Sequence, residues 1–236
     1  MLSAGATLGL GLVGGCVGLD RTAFFQGALA RPLVGASLTG TVLGTPILGL
    51  WCGVLLELLW LAEAPLGAFV PPDEALAGVL AVVLAWAAPG AWSSEARVAL
   101  GVVLAVPCGG LGRWLDMGVR RWNDALVQRA RRGLEQGVAG SLGRAHLLGI
   151  GRFFLAGALG SVVLGHAGAA LVEGAGPLAP PGLEHGLELV ALLLPALGAG
   201  AVLARWRGTR QSLRFVCGAA LWGAGPVLYG GLPWRR

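Results

Sequence analysis

An almost uncharged apolar stretch that contains a proline break and a carboxylate most constrains the fold of this chain. Residues 33–56 are apolar enough for a membrane span, yet Gly44-Thr45-Pro46 interrupts them and Glu57 follows directly. A carboxylate in an apolar span is costly, so it usually faces a cavity or a partner, and a proline-interrupted span exposes backbone groups to a solute. The stretch therefore indicates a membrane protein that transports a solute.

The composition agrees with this interpretation. The chain has 236 residues, of which 56% are hydrophobic and 12% charged, and its mean hydropathy is +0.75. Such a chain has too little polar surface to cover a water-soluble globule. Its 42 glycines lie inside apolar runs, which is typical of closely packed helices in lipid. We expect an all-α polytopic membrane protein.

The basic residues indicate orientation rather than nucleic-acid binding. All seventeen are arginine, and they lie mainly between the apolar runs. Arginine-rich connections remain on the cytoplasmic side of a membrane. The net charge of +5 therefore gives no reason to expect a nucleic-acid partner.

The four cysteines give no sign of a metal site. They are far apart, lie in apolar sequence and have no C-x-x-C spacing: Cys16, Cys52, Cys108 and Cys217. We interpret them as small apolar side chains. We expect neither a metal nor a bound cofactor.

The apolar runs predict the membrane spans and two halves of the chain. The runs cover residues 1–19, 33–56, 75–92, 98–112, 153–172, 187–204 and 215–234. A connector at 113–144 carries seven arginines and separates a first membrane half, 1–112, from a second, 145–236, which we expect to be pseudo-symmetric. Positive charge places this connector and the loop at 205–214 inside, and the loop with Glu173, Glu184 and Glu188 outside.

Counting crossings predicts an unusual structure between residues 33 and 74. If Arg21 and Arg31 are cytoplasmic, the chain must return to that side by residue 73, because two further spans bring it inside at Arg113. A re-entrant hairpin turning near Pro46, or a pair of short broken helices, satisfies this count. Irregular backbone at that depth requires surrounding protein or a water-filled cavity. The count therefore places the solute site in this segment.

The connector carries a helical pattern of its own. Leu115, Val119, Trp122 and Leu126 recur at helical spacing, with charged and polar residues on the other side. We expect an amphipathic helix at the cytoplasmic interface. It is either a spacer between the two halves or a docking site for a soluble partner.

Four motifs in the first half resemble a known family. They are Ala30-Arg31-Pro32-Leu33, the Gly-Thr-Val-Leu-Gly run ending at Gly44, Leu56-Glu57-Leu58, and Leu-Gly-Ala-Phe-Val-Pro-Pro-Asp-Glu-Ala-Leu at 66–76. Together they resemble the IIC subunit of the mannose/fructose/sorbose-type sugar phosphotransferase system (PTS). The resemblance is specific for residues 20–80 and rests on general layout beyond them.

The resemblance implies a sugar-translocating permease in the bacterial inner membrane. Such a subunit works with a second membrane subunit, IID, in trimers of IIC–IID pairs. Soluble IIA and IIB proteins carry phosphate on histidines and phosphorylate the incoming hexose or amino sugar. We expect no phosphoryl carrier in this chain, because its histidines lack the kind of neighbouring acid or glycine-rich phosphate cradle that would mark one: His146, His166 and His185.

Five residues are candidates for sugar binding. A neutral sugar is held by hydrogen bonds to its hydroxyl groups, so carboxylates and amides are suitable side chains. Glu57 is the leading candidate, and Gln26 matches a glutamine common near this position in the family. Asp73 either borders the sugar or caps the helix that follows it. Gly67 lies in the fourth motif, and Thr45 stands where the family often has aspartate.

Two other interpretations remain open. The replacement at Thr45 and a second half poor in amides also fit a non-transporting scaffold or regulatory subunit that docks phosphocarrier domains through residues 113–144.

Trp51 and Trp60 are either sugar-stacking surfaces or interface anchors. An integral membrane enzyme is the weakest alternative, because the sequence has no nucleophile-base pair.

Overall fold

The computed structural model describes residues 2–61 and 70–205, and in these residues the fold is all-helical. Seven α-helices and one short 3-10 turn follow each other along the described chain. Their bounds are α1 Ala4–Thr22, α2 Pro32–Val42, α3 Pro46–Trp60, α4 Glu74–Ala87, α5 Ser94–Glu135, α6 Ser141–Ala175, the 3-10 turn Gly176–Leu178, and α7 Leu183–Arg205. The predicted all-α membrane fold is confirmed.

Within the described residues, three helical segments are long and apolar enough to cross a bilayer. They are α5, α6 with the 3-10 turn, and α7. A hydrocarbon core of about 30 Å needs about 20 helical residues, and each of the three exceeds that number. The predicted spans at 98–112, 153–172 and 187–204 lie within them. The predicted span at 215–234 lies outside the described residues.

The predicted hairpin is present as α2 and α3. These helices have 11 and 15 residues, or about 16 and 22 Å, so each is too short for a simple crossing. Gly44 turns the chain with a φ of +72°, and Pro46 begins α3. A Cβ on Gly40 would lie 2.8 Å from the Cα of Gly49 on the facing helix. Glycine at both positions thus lets the two backbones touch.

Helix α4 forms the centre of the molecule. Twelve of its fourteen residues are buried, and it contacts α1, α2, α3, α5 and α6. A helix that is apolar on all sides is stable only when protein or lipid surrounds it, and here the other helices do so. The predicted span at 75–92 is therefore a buried helix of about 21 Å that ends before Pro89.

Helix α5 does not end at residue 112, where we expected the connector to begin. It continues for 42 residues, about 63 Å, with Pro107 inside it, and it turns back into α6 only at 136–140. Neighbouring helices can support the backbone around such a proline. Gly137 and Gly140 make the turn with φ of +68° and +75°. The connector is thus an extension of two long helices.

The predicted apolar face of the connector is half right. Val119 and Leu126 are buried, but Leu115 and Trp122 are 41% and 58% exposed. The buried row follows Gly112 and Asp116 instead, because α5 packs here as a continuation of its own membrane span.

Acidic and basic groups lie at opposite ends of the long helices. At the start of α5, the backbone N–H of Ser93 donates to Glu184 at 2.8 Å and its hydroxyl donates to Glu188 at 2.7 Å. The arginine-rich half of α5 lies at the other end. His185 Nδ1 is 3.0 Å from Glu188 Oε2, so the expectation that this histidine has no acidic neighbour was wrong. Residues three apart on a helix share one face.

Candidate functional site

Glu57 lies in the last turn of α3 and faces the beginning of α2. Its Oε2 accepts the backbone N–H of Leu33 at 3.3 Å, and its Oε1 forms an ion pair with Arg31. The first N–H groups of a helix have no partners within it, and they attract negative charge. The Glu57 side chain is 19% exposed. It therefore caps α2 and neutralises Arg31 at once.

Close backbone contacts fix the beginning of α2 against its neighbours. A Cβ on Gly53 of α3 would lie 2.8 Å from the Cα of Leu33, and a Cβ on Gly78 of α4 would lie 3.1 Å from the Cα of Pro32. Pro32 itself is fully buried. Any larger residue at Gly53 would push α2 away, so glycine here sets the distance between Glu57 and the backbone that it caps.

Asp73 begins α4 and acts as its N-cap. Its Oδ1 accepts the N–H of Leu76 at 3.0 Å, which confirms the capping interpretation, while its place beside the sugar stays a prediction. Its Oδ2 lies 3.2 Å from Nη1 of Arg21 on α1. The same guanidinium donates to the carbonyls of Pro71 and Pro72, both at 3.1 Å. Arg21 thus holds the chain that enters α4.

Helix α5 supplies the surface behind Asp73. The carbonyl of Gly109 accepts the backbone N–H of Asp73 at 2.8 Å. A Cβ on Gly109 would lie 3.5 Å from the Trp60 ring and 3.4 Å from the Pro72 side chain, while one on Gly112 would collide with Asp73. Trp60 is partly buried in the core, so it packs against helices beside the candidate site.

Asp20 is a polar residue of this region that our reading of the sequence missed. It lies in the last turn of α1, is 4% exposed, and accepts the N–H groups of Gly27 at 2.5 Å and Ala30 at 2.8 Å. The sequence signal was a carboxylate at the end of an apolar helix, followed by a loop without a regular pattern. Asp20 anchors the loop between α1 and α2, which carries Gln26 and Arg31.

The structure brings some of the predicted residues together and separates others. Glu74 lies within electrostatic range of Glu57, Asp73 and the arginines that pair with them. Gln26 is exposed on the loop anchored by Asp20. Thr45 lies at the far tip of the α2–α3 hairpin, beyond the end of α2, whereas Glu57 contacts Leu33 at the beginning of that helix of about 16 Å. Gly67 lies outside the described residues.

The space beside Asp73 is small. A cavity of about 30 Å³ lies there, with Arg21, Gly112 and Ser161 in its lining, and the hydroxyl of Ser161 is buried without a hydrogen-bond partner. Such a volume holds about one water molecule, whereas ligand pockets typically reach several hundred Å³, of order 300 or more. In this conformation the cavity is too small to hold a sugar.

Fold and site together define a class of protein. Long apolar helices pack against one side of a short helical hairpin and against a buried helix, and ion-paired carboxylates lie where those short helices begin. Broken helices of this kind are typical of multi-pass membrane transporters. Comparison with known families identifies the particular one. The family model described as the PTS system sorbose-specific IIC component matches residues 6–218, and the chain belongs to this family.

Curated relatives agree with this assignment. The mannose-specific EIIC component of the PTS in Escherichia coli (strain K12) is 34% identical over 90 residues, which are 38% of this chain and 32% of the relative. The N-acetylgalactosamine permease IIC component 1 of the same strain is 36% identical over 76 residues, which are 32% of this chain and 27% of the relative. The matched part thus spans about a third of the length of these relatives.

Solved structures share the fold along nearly the whole chain. A structure described only as a membrane protein has a TM-score of 0.74 at 22% identity and covers 94% of this chain and 88% of its own. The cryo-EM structure of the mannose transporter ManYZ in complex with microcin E492 has a TM-score of 0.63 at 23% identity, with 94% and 87% covered. At such identities the likeness concerns the fold.

Proposed function

We propose that this chain is the sugar-translocating subunit of a mannose-type PTS and imports a hexose or an amino sugar. The observation that carries the proposal is Glu57, a mostly buried carboxylate ion-paired to Arg31 at the point where two broken helices meet. A buried carboxylate in an apolar membrane protein is a functional candidate because it is costly to keep there.

Paired charges suit a neutral substrate. Sugar hydroxyls both donate and accept, so they can bind a carboxylate and a guanidinium in the same place. A hydroxyl that inserts between Arg31 and Glu57 replaces one charge-assisted contact with two. Asp73 borders the same region through Arg21 and Glu74. Each of the two ion pairs, Arg31–Glu57 and Arg21–Asp73, is neutral as a pair whether the sugar is bound or absent.

The depth of the site supports delivery to the cytoplasm. Asp73 lies at the level of Gly109 and Gly112, about 22 to 27 Å along α5 from its acidic end and next to the arginine-rich half. If arginines mark the inner side, sugar released here enters the cytoplasm, where IIA and IIB proteins would phosphorylate it.

The remaining features of the proposal concern assembly. The chain would act in the bacterial inner membrane beside a IID subunit, in a trimer of such pairs, with two membrane halves at 1–112 and 145–236 joined by 113–144. Many large apolar side chains on α6 are exposed, including Leu155, Leu159, Val163 and Leu171. Lipid or a second membrane subunit would cover them.

Uptake of radiolabelled sugar tests the proposal. Cells that express this chain with IIA, IIB and IID are supplied with hexoses and amino sugars, and wild type is compared with Glu57→Ala at matched membrane levels. We expect wild-type cells to accumulate a sugar phosphate and the variant to lose this activity. Failure to take up any tested sugar, despite correct assembly, would contradict the transport function.

One observation favours the scaffold as a second candidate. The arginine-rich half of α5 extends beyond a single bilayer thickness, and Trp114 on it is 80% exposed. Such a surface suits a soluble phosphocarrier domain. Assembly without uptake, together with retained binding of IIB to the membrane complex, would support this function instead.

A further inference from the structure

The loop between α1 and α2 has an unusual backbone. Three residues other than glycine adopt positive φ in it, namely Phe25 at 72°, Gln26 at 51° and Ala28 at 74°. Side chains with a Cβ rarely adopt this conformation, and it persists only where surrounding contacts hold it. The loop therefore needs an anchor.

Asp20 provides that anchor. Its two carboxylate oxygens accept the N–H groups of Gly27 and Ala30, which lie on either side of Ala28. Hydrogen bonds to an ionised acceptor are stronger than those between neutral groups. The residue after Ala30 is Arg31, which pairs with Glu57. The loop is thus held by the Asp20 carboxylate of α1, and its last residue, Arg31, pairs with the Glu57 carboxylate of α3.

We propose that Asp20 is a positioning residue for the sugar, because it holds the strained loop in the one conformation that presents Gln26 and sets Arg31 against Glu57. The inference rests on the proposed transport function and deepens it. Asp20 is almost fully buried and acts through the loop. When the loop is loosened, only a fraction of the molecules is competent to bind, and the apparent affinity is multiplied by that fraction.

If Asp20 acts only by positioning the loop, its loss should weaken sugar binding and leave the maximal rate of uptake nearly unchanged. Asparagine at position 20 keeps the shape of the side chain but replaces one acceptor by an amide NH2 that faces another donor. We expect Asp20→Asn to raise the KM for uptake by about tenfold, the equivalent of one lost charge-assisted hydrogen bond, while the maximal rate stays within about twofold. Asp124→Asn, the same change on the exposed surface of α5, should leave both values unchanged.

Variants at Ala28 test the same role on the loop itself. Glycine adopts positive φ without strain, so Ala28→Gly should restore much of the affinity lost in Asp20→Asn. A β-branched residue increases the strain, so Ala28→Val alone should raise the KM. Ala28 is exposed, and these changes leave the packing of α1 intact. A role of Asp20 in helix stability alone would not respond to glycine at position 28.

The decisive experiment measures uptake of radiolabelled mannose and N-acetylgalactosamine by the full complex with wild type, Asp20→Asn, Asp20→Asn/Ala28→Gly and Ala28→Val. A raised KM in the first variant, rescue in the second and a raised KM in the third support the inference. Wild-type transport with no change in KM in any variant overturns the inference but leaves the proposed function intact. Absence of wild-type transport overturns both. If the Asp20→Asn protein does not accumulate in the membrane, the Ala28→Val variant alone decides. An unchanged KM for Ala28→Val then overturns the inference.

Discussion

Ion pairs are buried where α1 meets the short helices α2 to α4 and exposed at the arginine-rich end of the long helices α5 and α6. Arg21 and Asp73 form an ion pair whose side chains are 13% and 15% exposed. Arg131 and Glu135 form one in the arginine-rich half of α5 whose side chains are 75% and 62% exposed. Breaking a buried pair strands a charge and costs about 3–5 kcal/mol, whereas an exposed helical pair contributes about 0.3–0.5 kcal/mol. The buried pair thus fixes the beginning of α4 against α1, whereas the exposed pair lies on the solvated end of α5.

Glycine shows the same contrast. Gly40, Gly49 and Gly53 lie where α2 and α3 touch, and an added Cβ there meets facing backbone. In the first third of α6, Gly143 and Gly151 have open space around them. Close contact between short helices therefore depends on individual glycines, while the long helices tolerate larger residues at several of theirs.

The largest expected difference between the two regions comes from their arginines. Arg21→Met should destabilise the purified membrane complex by about 3–5 kcal/mol, because it leaves Asp73 charged without its partner and frees two proline carbonyls. Arg131→Met should change stability by less than about 0.5 kcal/mol. Unfolding in an SDS titration, followed by tryptophan fluorescence, measures both. Equal effects of the two substitutions would show that burial does not distinguish the pairs.

A smaller difference is expected from matched glycine substitutions. Gly49→Ala places a Cβ 2.5 Å from the carbonyl of Ala36 and should cost about 1–3 kcal/mol through overpacking. Gly151→Ala lies in open space within a helix and should stabilise by about 0.5–1 kcal/mol. The same titration compares them. A stabilising Gly49→Ala would mean that α2 and α3 are less closely packed at this position than in this structure.

The smallest effect concerns the contact that joins the long helices at their arginine-rich end. The Arg152 guanidinium lies 4.0 Å from the centroid of the Trp122 ring and donates to the Trp122 carbonyl at 2.8 Å. Arg152→Lys keeps the charge but loses the planar stacking, so we expect a loss of about 0.5–1 kcal/mol. Unfolding should show this loss with unchanged sugar uptake. A large fall in uptake would instead show that the contact between α5 and α6 takes part in the proposed transport.

Local chemistry made parts of the fold predictable from sequence. The turn at Gly44-Thr45-Pro46 depends on residues adjacent in the chain, and the cap at Asp73 depends on the residue three positions later. Both predictions are confirmed. The continuation of α5 past residue 112 was not predicted, because the division rested on the change from apolar to arginine-rich sequence, and such a change does not by itself end a helix.

The site was only partly predictable, because its partners come from different helices. Glu57 is a conspicuous carboxylate in apolar sequence, but nothing local indicates that Arg31 and Leu33 would meet it. Arg21 and Asp73 are 52 residues apart, and their pairing depends on α1 packing beside α4. In the sequence, Asp20 stands only at the end of an apolar run. Its burial follows from the loop that folds back over it.

Equilibrium binding of sugar to the chain purified with the IID subunit that we propose as its partner, without phosphocarriers, tests the proposed role of Glu57 most directly. Radiolabelled mannose and N-acetylgalactosamine are titrated into wild type, Glu57→Gln and Glu184→Gln. Glu184 also accepts a backbone N–H at a helix start, but at the acidic end of the molecule, so it controls for the loss of a capping carboxylate. We predict that wild type and Glu184→Gln bind one of these sugars equally well and that Glu57→Gln raises the Kd by at least about tenfold. Equal affinity in Glu57→Gln and wild type would contradict the account.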